Sequence, residues 1–413
     1  MRPPRENAPP LPLSLKERIG ILSLVLPMAS RWLLPASLEK TLTPFLFGFL
    51  PLYLPDLLLL LFWFWGHPRR ALGDLKALFL FQCAAAAAGL LLNTYSDKPL
   101  SAFCNLHYFA AVALFLWRRP SPAQLQVLRL PLTGVLLLLA VEILLYSVGT
   151  LQYDLDITGV EYGAVSRIRT TIGAATGSSL ILLLLGAVAF ALWKDSPWRF
   201  ALLPVWVAPI FMLVSKGAIL ALALAAAWNL ARRIVRGRHK IRHLLLAALA
   251  VALLWRSGLL VPMWERIQLE GYSDVATLAS QRDLRIQDSL AFFRENPLFG
   301  VGLGNVFGSK EYRYDGPPET YQGAPHNVFV LVLVEQGLLG LLAFLSLWGR
   351  ILWRAPGRDS LLHSVLCMSV LVCFNTEAIV MVDSEYLFLL MLALMVLDEE
   401  YAKRPTNPVC RDK

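Results

Sequence analysis

Apolar residues run along this chain in stretches about as long as a bilayer's hydrocarbon core, separated by short polar segments, from near residue 19 to residue 397. The pattern predicts twelve membrane-spanning helices, at approximately 19–35, 42–65, 75–92, 100–117, 129–149, 177–193, 199–215, 217–231, 243–261, 326–349, 361–382 and 384–397. Pro44, Pro51 and Pro55 predict a kinked or partly interfacial second span, and the last span is short. The stretch Ile19 to Met28 behind a basic segment also has the form of a signal peptide, but so many later spans favour its retention as the first helix. The expected organisation is a cytoplasmic tail over 1–18, nine spans over 19–261, one large loop over 262–325, three spans over 326–397 and a cytoplasmic tail over 398–413. The class is an all-α integral membrane protein whose large loop is partly helical.

Charge placement sets the orientation. With the N-terminus in the cytoplasm, the tails and the short loops on that side hold 25 of the 38 Lys and Arg, and the rest of the chain, long loop included, holds 13. That asymmetry is what the positive-inside rule demands, and it puts both termini in the cytoplasm. The net charge of +9 therefore reflects topology and contact with anionic membrane lipid rather than a nucleic-acid partner. With 57% hydrophobic and 16% charged residues, the chain is not an ordinary soluble enzyme. Cys83, Cys104, Cys367 and Cys373 lie in apolar runs and Cys410 in the tail, so neither a disulfide framework nor a zinc site is expected.

The unusual polar residues gather on the outer side. In the long loop, Gln281 to Glu295 reads as a helix ended by Asn296-Pro297, with Ile286, Leu290 and Phe293 on one face. Arg282 shares that face, and Arg285 lies within reach of the same ligand. A cation on a packing face must meet an anion, either a carboxylate of the loop or a bound phosphate. Next come Gly300, Gly302, Gly304 and Asn305, whose alternate glycines permit a tight backbone path; no strand precedes them, so this is not a dinucleotide fingerprint. His326, followed by Asn327, opens the tenth span at headgroup depth, where an imidazole can either take a proton or merely begin a helix. Glu335 lies nearly opposite on that helix and needs a partner of its own. The shorter outer loop supplies Arg167 and Arg169, and Lys216 follows Ser215 at the end of the seventh span. Each could be an interfacial anchor; together with Arg282 and Arg285 they form a cation cluster suited to a diphosphate. Asp154-Leu155-Asp156 has metal-holding spacing, but such a pair is common by chance.

Arg282 with its helix, the run Asn296-Pro297-Leu298-Phe299-Gly300-Val301-Gly302-Leu303-Gly304-Asn305, His326-Asn327 and Glu335-Gln336-Gly337-Leu338-Leu339-Gly340, in that order, resemble the O-antigen ligase and polymerase superfamily. Arg169 to Gly173 and Ser215-Lys216-Gly217-Ala218 resemble two further patches of that family. Two departures stand out. The family often has Arg where Lys216 stands, and Pro-Asn where this chain has Ala175-Thr176-Gly177-Ser178.

The resemblance implies a GT-C-like glycosyltransferase of the bacterial inner membrane with its active site facing the periplasm. Its donor would be an undecaprenyl-diphosphate-linked glycan and its acceptor a sugar hydroxyl of lipid A–core. His326 would be the catalytic base, and Arg282, Arg285, Arg169, Lys216 and Arg167 would hold the donor diphosphate. Gly300, Gly302, Gly304, Asn305, Asn327 and Glu335 would support them. No metal and no other cofactor is expected. O-antigen polymerases and protein O-oligosaccharyltransferases use the same donor; the tail of 16 residues after 397 disfavours the protein-directed activity. A transporter of the same lipid-linked glycan is the rival of another class, and it would be favoured by repeat symmetry, which the sequence does not show.

The topology has a direct test. A cysteine placed at Ser309 should react with an impermeant thiol reagent in cells whose inner membrane is intact. Reaction only after that membrane is opened would invert the assignment.

Overall fold

The computed structural model describes residues 14–15, 63, 66–69, 72–92, 106–149, 170, 175–236, 282–304, 306, 325–354, 360–376 and 384–402, with isolated positions between 245 and 261. The described residues are mostly helical. Helix α1 spans Gly73–Leu92, α2 Leu106–Trp117, α3 Pro122–Ser147 and α4 Ala175–Leu192. A 3-10 turn over Pro197–Ala201 leads into α5, Leu202–Met212, and α6 follows at Lys216–Arg236. Helix α7 is Arg282–Glu295, α8 Val328–Arg354 and α9 Leu361–Met368. A π-helical turn, Ser369–Cys373, carries α9 on to Phe374–Thr376, and α10 is Ser384–Ala402. Two short strands, β1 at His67–Pro68 and β2 at Arg118–Arg119, pair antiparallel.

Five of the described helices are long and apolar enough to cross a membrane: Gly73–Leu92, Gln124–Ser147, Ala175–Leu192, Lys216–Val235 and Val328–Arg354. The spans expected at 19–35, 42–65 and most of 243–261 lie outside the described residues. The expected span at 199–215 is shorter than the sequence suggests. Pro204 and Pro209 stand in or near its path, and α5 ends at Met212 ahead of a sharp turn in which Val214 takes φ +51°. Conversely, α10 runs to Ala402, beyond the expected end at 397.

Alternate threading brings the helix ends together on two faces. On one, the start of α1 meets the end of α8 through Arg350 and Arg354 to Asp74, at 3.3 and 2.5 Å. On the same face Arg69 pairs with Asp398 of α10, and Asn229 of α6 donates to Ser364 of α9 at 2.5 Å. The other face gathers the starts of α4, α6 and α8, and α7 packs on α8. The apolar core between them is built largely from α4 and α10, whose side chains are buried almost all round, as befits central helices.

One polar chain crosses that core. Trp348 Nε1 donates to the Tyr108 hydroxyl at 3.2 Å, Tyr108 to Gln82 Oε1 at 3.1 Å, and Gln82 Nε2 to Gln336 Oε1 at 3.1 Å. All of these bonds are buried, so each donor or acceptor depends on its neighbour in the row. They tie α1, α2 and α8 in a fixed register. Gln82→Ala removes the central link and leaves Tyr108 and Gln336 partly unsatisfied, a loss of roughly 1–3 kcal/mol. The thermal midpoint of purified Gln82→Ala should fall, while that of Gln126→Ala, at an exposed position of α3, should hold. Equal shifts in the two variants would remove the row's role in fixing the register.

Candidate functional site

Helix α8 is broken within the membrane-spanning stretch. Gly337 adopts φ +68°, ψ −172°, about 14 Å along the helix from Val328 at 1.5 Å per residue. A break there strands carbonyls at the end of the first half and amides at the start of the second, and hydrocarbon cannot satisfy them. The glycine-rich loop supplies the missing partners. Val301 and Gly302 donate their backbone N–H groups to the carbonyls of Val334 and Glu335, at 2.9 and 3.0 Å. In return, the amides of Leu338 and Leu339 donate to the carbonyls of Pro297 and Leu298, at 2.9 and 3.3 Å.

This clasp explains the residue types. A Cβ on Gly300, itself at φ +70°, would stand 2.5 Å from the Gly337 nitrogen and from the Val334 carbonyl oxygen, and a Cβ on Gly337 would run into the Leu298 carbonyl. Both positions need glycine twice over, for the left-handed backbone and for the close approach. Gly302 and Gly304 are also left-handed, at φ +94° and +78°. From α1, Gly89 packs against the same place, its Cβ position 2.5 Å from the Phe299 carbonyl oxygen.

Glu335 locks the loop a second time. Its side chain is 1% exposed, and Oε1 accepts the Val306 N–H at 3.3 Å. The carboxylate expected to need a partner therefore finds one in the loop backbone.

His326 and Asn327 precede α8 rather than forming its first turn. Asn327 is the cap: its Oδ1 accepts the Val330 N–H at 3.1 Å, and its Nδ2 donates to Asn375 Oδ1 at 3.2 Å. Asn375 in turn donates to the Leu371 carbonyl, within the π-helical turn, at 2.6 Å. His326 is half-buried beside buried Pro325. Thus the histidine sits on a peptide whose following residue is anchored to two helices.

Helix α7 begins at Arg282 and carries Arg285 in its first turn. Phe292 and Phe293 pack on the core and Ser289 is buried, so the packing face lies where the sequence put it, and Arg294 is exposed. The chain leaves α7 through Asn296, whose carbonyl accepts the Gly300 N–H at 2.8 Å, and passes directly into the clasp. Lys216 starts α6, half-buried, after the strained Val214 turn. Arg167, Arg169 and Asn305 lie outside the described residues, as do Asp154 and Asp156. Thr170, next to Arg169, is buried and shares a 2.6 Å hydrogen bond with Ser178 on α4.

The structure thus joins α7, the glycine loop, Glu335 and the His326 peptide into one backbone-bonded unit, with Lys216 placed at the start of α6. Sequence reasoning quoted Gln336 and Gly337 only as members of a motif, with no role of their own, and overlooked Gly89, Asn375 and Gln82. The glutamines had a visible signal, since a neutral polar residue within an apolar span calls for a partner. Gly89 had none.

Gly337→Ala should lose about 1–3 kcal/mol from its backbone conformation alone, and more from the collision. Gly349→Ala meets nothing within 4 Å and should be neutral or gain up to about 1 kcal/mol. Thermal unfolding in detergent measures both. Limited proteolysis should also cut near 297–302 in the first variant only. Matching behaviour of the two variants would contradict the clasp.

No curated protein matches the chain. Residues 200–345 match the family model Wzy_C, described as O-antigen ligase. The matched segment runs from the 3-10 turn through Lys216, α7, the glycine loop and His326 to the far side of the clasp. That match supports, over residues 200–345, the resemblance to the O-antigen ligase superfamily read from the sequence.

Proposed function

We propose that this protein transfers a glycan from an undecaprenyl-diphosphate carrier to a sugar hydroxyl of lipid A–core at the periplasmic face of the inner membrane. The observation that carries the reading is the clasp, which fastens the helix that begins at Arg282 to the helix that begins after His326. A donor whose diphosphate lies at headgroup depth would meet both groups at once.

The chemistry follows from that placement. The acceptor oxygen attacks the anomeric carbon while the bond from that carbon to the diphosphate oxygen breaks, and the electron pair leaves with the diphosphate. His326 takes the acceptor's proton as the hydroxyl becomes a nucleophile. Negative charge grows on the leaving diphosphate, where Arg282 and Arg285 stabilise it by bidentate contacts, with Arg169, Lys216 and Arg167 as further cations. One displacement inverts the anomeric centre. Gly300, Gly302, Gly304 and Glu335 hold the arginine helix to the histidine segment, Asn327 fixes that segment, and Asn305 continues the loop beyond Gly304. Cationic side chains take the part that a metal plays in other glycosyl transfers.

Reconstitution with lipid-linked glycan and lipid A–core, read by product mobility on a gel, tests the whole proposal. His326→Ala should lower the rate by about 10²–10⁴ with donor binding largely kept. Arg282→Lys keeps the charge but loses the planar fork, and should weaken donor binding as well as rate. Arg294→Ala should behave as wild type, and EDTA should change nothing. Normal turnover by His326→Ala at saturating donor would place the base elsewhere. Transfer to a second lipid-linked unit in place of lipid A–core would make the protein a polymerase.

A further inference from the structure

The face of the bundle opposite His326 carries a second concentration of cations, and two of them have no carboxylate partner among the described residues. Arg129, on α3, lies with its guanidinium carbon 3.3 Å from the centroid of the Trp193 ring. That indole is itself fixed: its Nε1 donates to Thr133 Oγ1 at 2.9 Å, and Thr133 donates to the Arg129 carbonyl at 2.7 Å. The Arg129 side chain thus rests on a rigid platform. Its Nε is enclosed by protein with no acceptor, and neither Arg129 nor Arg199 pairs with a carboxylate among the described residues.

Arg199 sits in the 3-10 turn that joins α4 to α5. It donates to the Lys194 carbonyl at 3.0 Å and lies over the rings of Phe190 and Phe200, at 5.6 and 4.7 Å. Ser196 caps the turn, so its conformation is set locally. On either side of Arg199 the turn exposes large aromatic rings, Trp198 at 72% and Phe200 at 55%. Helices α3, α4 and α5 pack on one another in pairs, which puts Arg129, Trp193 and the turn at one end of one three-helix group.

A cation that is partly desolvated and has no carboxylate beside it invites an anion from outside the chain. Exposed Trp and Phe beside it match the boundary between headgroups and acyl chains. Elsewhere on this face, Arg69, Arg350 and Arg354 are already neutralised by Asp398 and Asp74. We propose that Arg129 and Arg199 bind the headgroup phosphate of one anionic phospholipid, with Trp198 and Phe200 against its acyl chains. The site lies at the far end of the helices from the clasp, and its occupant is a lipid of the leaflet that meets the basic face. It is independent of the glycosyl-transfer proposal.

The test uses the full chain, purified in detergent, stripped of lipid and equilibrated with equal amounts of phosphatidylglycerol and phosphatidylcholine, bound lipids being counted by native mass spectrometry. Wild type should retain one phosphatidylglycerol in preference to phosphatidylcholine. Arg129→Gln and Arg199→Gln should each reduce that preference about tenfold, the worth of one charge-assisted hydrogen bond. Arg233→Gln, an exposed cation of α6 on the same face, should leave it unchanged. Arg199 lies on a surface turn, so its variant carries the test if Arg129→Gln fails to fold. Equal loss from all three substitutions would mean diffuse surface charge and overturn the proposal. So would absence of any preference in wild type, or displacement of the lipid by an equal concentration of inorganic phosphate.

Discussion

A helix cannot be interrupted inside a bilayer unless something polar replaces the bonds it loses, because lipid offers none. The break at Gly337 is tolerable because four backbone hydrogen bonds from residues 297–302 close it from both sides. Everything distinctive about the His326 face depends on that exchange. It sets where α7 lies against α8 and why glycine stands at 89, 300 and 337. It also decides what the Glu335 carboxylate does, since the loop that closes the break brings the Val306 amide to it.

The same constraint recurs in the row from Trp348 through Tyr108 and Gln82 to Gln336. Gln336 is the residue immediately before the break, so the row holds the broken helix to α1 and α2 from inside the bundle while the loop holds it from the site. Clasp and row meet at neighbouring residues, 335 to 337. Together they locate the first half of α8, and with it the peptide bearing His326, relative to three other helices.

Much of this was legible from hydrophobic pattern. The helix ending at Asn296-Pro297 showed in its periodicity and terminator; glycine spacing announced an unusual backbone path. What that path was for did not show. A motif such as Glu335-Gln336-Gly337 continues an apolar, helix-forming run, and glycine within a span is common enough to pass as helix packing. The conformation of Gly337 becomes necessary only when residues more than thirty positions earlier fold onto it. The shortened α5 failed for a similar reason: composition reads Pro204 and Pro209 as kinks in a span, but not the sharp turn at Val214 that ends the helix. Arg282 and Arg285 were legible as cations on a packing helix, yet the reason to join them to His326 lies in long-range backbone pairing.

The clasp also bears on how the protein is made. The loop that closes the break precedes α8 in the chain, and the second half of α8 has no partners for the Leu338 and Leu339 amides until residues 297 and 298 are in place. Insertion of that helix and docking of the loop must therefore finish as one event. Once closed, the joint resists opening, because separation would leave several backbone groups bare in hydrocarbon, each at a cost of several kcal/mol. Residues 297–302 and 334–339 therefore form a fixed joint between the two halves of α8 and α7.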